Sequence, residues 1–368
     1  DAAALRAWWG TLHLNAAASI QEKMVYFWSG HFTTQFSLGE RQYVLAPLLY
    51  RQNKLFRDNY LGNFRELVKG VTLDGAMLVY LGGNTNSGGK PNENYARELM
   101  ELYTCGIGGG YTEADVQMAA RILTGWRVNQ YNDEPMPNGP FATFYSPADH
   151  DTGAKNYLST PFSAISAATN TEYLVKQNEI FKLVDTLFTQ LGPAIAQYIC
   201  TKLYRFFVYS DKASVDTQVV SAMADLFITS NWEIKPVISA LLKSAHFFDN
   251  ENIGAQIKTP AEYIIGMARQ IAPTYPIDAN MTKAGEQFEQ RRLPAAGRAD
   301  DADEFAGIDI EIDAGESVNV PGVRGVVVMD VVETQEMLRA RGRVQLLLES
   351  GDGDHLAAAA NSVTTPAW

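Results

Sequence analysis

A change of period constrains this chain more than any other feature. Between about residues 20 and 271, apolar side chains return every three or four positions, the spacing of amphipathic helices. Ile20, Met24, Phe27, Trp28 and His31 are one such set, and Phe56, Phe64, Leu67 and Val71 belong to another within residues 54–80. Beyond about residue 300 the apolar residues alternate instead. "GIDIEID" sets Ile308, Ile310 and Ile312 between acids, and "GVVVMDVVE" and "RVQLLLES" are equally strand-like. The expectation is a mainly α chain. It would have a single large multi-helix domain over residues 1–285 and a small β-containing C-terminal segment over residues 300–368, joined by the charged linker "RRLPAAGRADDADEF".

Helix starts are written into the sequence. Ser19 with Glu22 and Thr259 with Glu262 have capping-box spacing, Thr112 to Asp115 restarts a helix with a cap, and Ser214 stands where a cap is expected. Pro193, Pro236 and Pro260 fall in first turns, where their missing N–H costs nothing. "GGNTNSGGKPN" (residues 82–92) and the Asn-, Asp-, Pro- and Gly-rich residues 128–170 are expected to be loops, and a loop as long as the second is usually functional.

Composition removes several classes of function. With 46% hydrophobic and 20% charged residues the chain can bury a normal core. A net charge of -12 argues against binding nucleic acid, which needs a basic surface. No apolar run approaches the roughly 20 residues of a membrane helix. A start at Asp1 is expected of a processed mature protein or of a trimmed one, and both stay open. Cys105 and Cys200 could form one disulfide or remain two buried thiols, and neither sits in a zinc-type CxxC pair. No nucleophile elbow, HExxH, phosphate loop or dinucleotide fingerprint is present.

The residues with chemical potential lie in three places. "NENYARELMELYTCGIGGGYTEADVQMAARILTGW" (residues 92–126) reads as two helices around a glycine turn. On the first, Asn94, Glu98 and Glu101 share a narrow sector beside the apolar stripe of Tyr95, Leu99 and Leu102, with Arg97 alongside. This is either a solvated face with an Arg97–Glu101 pair, or a carboxylate pair lining a pocket as metal ligands or acid/base groups. His31 falls on the core face of its helix, as a packed imidazole or as a ligand. "DHDTGAK" places Asp149, His150, Asp151 and Lys155 in the long polar loop, where no period accounts for them.

"EKMVYFWSGHF", the 92–126 segment, "HDTGAKNYL", "YICTKLYRFFV" and "IKTPAEYIIGMAR" occur in this order. Together they resemble the large bacterial family called domain of unknown function 1800, over residues 1 to about 272, in wording closest to its Bacteroidetes members. The family usually writes a His-Asn pair where this chain has Ser29 and Gly30, and its C-terminal Pro-Pro-Asn-Val…Gly-Trp motif is matched only by "VNVPGVRG". The resemblance implies no established activity. It does imply an exported protein, and a shared role for the polar residues inside its motifs.

Three functions follow as expectations. One is an extracytoplasmic metal-dependent enzyme, with His31, Glu98, Glu101, His150 and Asp151 around iron, manganese or zinc, and Glu98, Glu101, Arg97 and Lys155 as catalytic groups. A second is a non-catalytic binding or assembly protein of the cell envelope, with an envelope protein as partner. The third is a metal-free enzyme using Glu98 or Glu101 as general acid on a glycan. The first needs the three segments to meet in one pocket.

Overall fold

The computed structural model describes residues 2–16, 19–36, 44–130 and 141–271, and the backbone of residues 319–320 and 323–324. The chain divides into two units, Asp1–Lys258 with Ile265–Pro294, and Thr259–Ile264 with Ala295–Trp368. The described residues of the first are mainly helical: α1 (Ala2–Asn15), α2 (Gln21–His31), α3 (Ala46–Asp58), α4 (Phe64–Thr72), α5 (Gly75–Tyr80), α6 (Glu93–Glu101) and α7 (Glu113–Ile122) precede two hairpins. After them come α8 (Glu172–Val175), a π-helical turn (Lys176–Phe181), α9 (Lys182–Gln190), α10 (Gly192–Phe207), α11 (Thr217–Thr229), α12 (Ile234–Lys243) and α13 (Pro260–Ile271), the last begun by residues of the second unit.

Apolar stripes converge on one core. Trp28 and Phe32 of the α2 end, Phe56 of α3, Phe64 of α4 and Phe227 of α11 are buried together, and Tyr95, Leu99 and Met100 of α6 join them. Burying aromatic side chains of this size contributes more than any other single class of contact.

The starts form for the predicted chemical reasons in most places. Thr112 and Asp115 exchange the two bonds of a capping box, and so do Thr259 and Glu262. Two expectations fail. The Ser19 hydroxyl accepts from Gln21 N, not from Glu22, whose carboxylate is taken by Arg57. Asp216, not Ser214, caps α11, accepting from Gln218 and Val219. An ionised carboxylate is the stronger acceptor for those orphan N–H groups.

The stretch expected as one long loop is partly strand. β1 (Trp126–Val128) pairs antiparallel with β2 (Thr143–Tyr145), and β3 (Lys155–Tyr157) with β4 (Thr160–Phe162). Strands of three residues are too short to show alternation. β5 (Asn319–Val320) and β6 (Val323–Arg324) pair in the same way, while the strands expected at 307–313, 325–333 and 343–350 lie outside the described residues.

Candidate polar site

The carboxylate seam on α6 stays at the surface. Arg97 turns away from Glu101 and pairs with Glu113 of α7 and Glu93 one turn back. Glu113 is 58% exposed, so this is a solvated pair and not the core of a network. Burial, and then the charge of Glu101, raise the Glu98 carboxyl above its ordinary range. Helix α6 ends at Glu101, and in the turn beyond it Gly106, Gly108 and Gly110 have positive φ, which lets the chain reverse into α7.

His31 is packed, not presented. It is 3% exposed, against Phe27, Trp28, Phe32 and Phe64, and its Nε2 donates to Tyr103 O at 3.0 Å. Burial, and then the charge of Lys202 on α10, hold its pKa well below the ordinary value, so the ring is neutral. Its Nδ1 has no partner.

The second polar centre lies beneath the loop after β2. His150 Nδ1 lies 2.9 Å from Thr124 O, and Nε2 lies 3.1 Å from Glu179 Oε2. Lys155 on β3 donates to both oxygens of Glu179, at 2.9 and 3.1 Å, and to Asp151 O. The side chains of His150 and Lys155 have no exposure and Glu179 has 3%. Asp151 is clamped by Arg121 of α7, and its own N–H donates to Thr124 Oγ1. Burial tends to raise the Asp151 pKa, but Arg121 and Gly153 N hold it below the ordinary value. Glu179 reaches this centre because the helix loosens into a π turn there, so that Glu179 and Ile180 both face inward.

Above it, loop 82–92 meets loop 146–154. Gly88 N donates to Asp149 O at 2.7 Å, and Asn86 O accepts from Gly125 N and Arg127. Arg127 also holds Asp149. The two loops border an open cleft of about 440 Å³ lined by Ser87, Gly88, Gly89 and residues 148–153.

The expected five ligands are therefore not gathered. His150, Asp151 and Lys155 converge, while His31, Glu98 and Glu101 lie elsewhere, and neither imidazole bonds Glu98 or Glu101. Among the described residues no group of three or more His, Cys, Asp or Glu side chains is placed to hold a metal ion. The donor set does not fit the expected metal, because the ring nitrogens and carboxylate oxygens of the closed centre are already hydrogen-bonded. Cys105 and Cys200 are free, buried thiols, and burial pushes them up to about 11 and about 12.

A family model matches residues 1–298. The chain belongs to that family, described as protein of unknown function (DUF1800). No curated protein and no solved structure matches it. The match runs past the sequence motifs that end near residue 272 and covers all of the polar centre. In this DUF1800 chain, sequence reasoning missed Glu179, Arg121 and Thr124. For Glu179 a signal existed: Val175, Glu179 and Leu183 stand four apart, so a carboxylate occupies an apolar rung of its helix.

Proposed function

We propose that this chain is an extracytoplasmic, non-catalytic binding or assembly protein of the cell envelope, with the paired loops 82–92 and 146–154 as its contact face. One observation carries the reading. The charged residues that the shared motifs supply around His150 close on each other: every donor of the Lys155 ammonium has an acceptor, and Asp151 has its Arg121. Groups so satisfied and enclosed are rigid supports for the loops above them. The export implied by the family resemblance supports the compartment, and the net charge of -12 suits a protein partner better than nucleic acid. Among the described residues no helix is long and apolar enough to cross a membrane.

The test is a photo-crosslinker at exposed Lys90, in the contact loop, against one at Lys54 on α3, in cells of the source organism. A discrete adduct with an envelope protein from position 90 alone supports the reading. Equal adducts from both positions, or retention in the cytoplasm on fractionation, overturn it.

A second reading keeps one observation in its favour. Glu98, raised by burial and by Glu101, is poised as a proton donor, and it belongs to the most specific shared motif. An enzyme centred there predicts turnover that Glu98→Gln abolishes without loss of fold. A metal-dependent one further predicts metal in protein purified without chelator, lost in Glu98→Ala.

A further inference from the structure

Thr186 carries a hydroxyl that the fold does not use. On other helices and beside it on α9, Thr72, Thr189, Thr201 and Thr229 each donate to the carbonyl four residues back, at 2.7–2.8 Å. Thr186 is only 7% exposed, yet among the described residues its Oγ1 has no hydrogen-bond partner. A polar group withdrawn from water and left unbonded is costly, so where it faces matters. Thr186 lines a pocket of about 310 Å³ formed by one helix face and Thr160 of β4.

The helix face is built in two parts. Lys182, Asp185, Thr186, Thr189 and Gln190 stand at i, i+3, i+4, i+7 and i+8 of α9, the spacing of a single face. Gln177 belongs to the π turn before it. In an unbroken α-helix it would stand about 140° round from Lys182. The extra residue of the π turn takes back about 100°, which swings Gln177 over the same face.

The groups on offer are mixed and mostly uncharged. Among the described residues, the side chains of Thr160, Gln177 and Gln190 have no hydrogen-bond partner either. Thr189 donates to Asp185 O and keeps its lone pairs. Lys182 lies 4.3 Å over the Phe162 ring and gives one N–H to Pro161 O at 2.7 Å, with its others unused. Asp185 accepts from Lys69 at 2.9 Å and has further lone pairs. An apolar ligand would bury all these groups unpaired. An anion would meet Asp185, and a cation would meet Lys182. Sugar hydroxyls both donate and accept, which suits neighbouring hydroxyl, amide and carboxylate groups.

We propose that this pocket is a binding site for a neutral saccharide, whose hydroxyls bond Thr186, Gln177 and Gln190 and are bracketed by Lys182 and Asp185. The pocket shares no residue with the cleft between loops 82–92 and 146–154, so the inference stands apart from the contact face and from its Lys90 crosslink.

The experiment titrates the whole ¹⁵N-labelled chain with glucose, galactose, mannose, N-acetylglucosamine and maltose, following the amide signals of residues 177–190. Sulfate, putrescine and cyclohexanol serve as anionic, cationic and apolar probes. At least one sugar should shift these signals saturably, and none of the three other probes should. Thr186→Val keeps the shape and removes the hydroxyl. It should weaken sugar binding about tenfold, as loss of one hydrogen bond does, while the Tm stays level or rises because no internal bond is lost. Gln177→Ala, at an exposed position, should weaken binding without touching the core. Absence of a shift with every sugar overturns the proposal, and so does an equal response to sulfate, putrescine or cyclohexanol. Binding that survives both substitutions places the sugar elsewhere. A lower Tm in Thr186→Val means that the hydroxyl is bonded inside the protein, which removes the premise.

Discussion

Lys155 and Glu179 form an ion pair closed to solvent, with Nζ 2.9 and 3.1 Å from the two carboxylate oxygens. Such a pair contributes little against an apolar replacement of both partners but resists loss of either one. Glu179→Leu alone should cost about 3–5 kcal/mol, by leaving a buried ammonium unpaired. Glu179→Leu with Lys155→Met should cost clearly less than the sum of the single changes. Urea unfolding of the four proteins measures the coupling, and strict additivity would mean that the two charges do not meet.

A second prediction concerns Asp74, the N-cap of α5, which accepts from Met77 N and Gln52. Burial pushes its carboxyl from an ordinary 3.8 up to about 7, against the hydrogen bonds that pull it down. A raised pKa means that the folded state holds the proton more tightly. The contribution is therefore complete below about pH 4 and lost as pH rises to about 7, by something on the order of 4 kcal/mol. Asp74→Asn keeps the cap and should flatten the stability profile across that window. An unchanged slope in the variant would place the titration elsewhere.

His31 has the opposite sign. Its folded-state pKa is depressed by burial and by Lys202, so its contribution is present above about 6.5 and lost as pH falls below it. The chain should be hardest to unfold where the two effects cross. In His31→Leu the loss on the acid side of neutrality should shrink, although the bond to Tyr103 O is sacrificed at every pH. Thermal melts at a series of pH values would show whether it does.

Much of this architecture was legible beforehand, and the failures have physical reasons. Helices α6 and α7 were visible because Tyr95, Leu99, Val116 and Ala119 keep one period, and Gly106 to Gly110 leave no other way to turn. His150 and Lys155 stood out as polar residues of the long loop, but their meeting on Glu179 was not foreseen. What failed was the assignment of partners. Arg97 at i,i+4 from Glu101 suggested a pair, but a bidentate approach to Glu113 across the turn is the better geometry for a guanidinium. Glu179 carried a signal, a carboxylate on an apolar rung, but the π turn that brings it inward adds a residue without leaving a mark in composition, so its partners could not be read.

Gly88 gives the sharpest test of the paired loops. A Cβ built there would lie 2.9 Å from Asp151 N and 3.0 Å from its Cα, and backbone atoms cannot swing aside as a side chain does. At Gly89, one residue on, a Cβ meets nothing within 4 Å. Gly88→Ala should therefore force loop 82–92 off loop 146–154, breaking the 2.7 Å bond from Gly88 N to Asp149 O, while Gly89→Ala leaves it intact. The clash is between two loops and not within a helix, so both variants should keep their helical circular dichroism. Amide exchange at residues 149–153 separates them: faster in Gly88→Ala by about tenfold or more, unchanged in Gly89→Ala. If the crosslink from Lys90 depends on the paired loops, it should fade in the first variant and persist in the second. Equal behaviour of the two alanines would mean that the loops do not meet in solution as they do here.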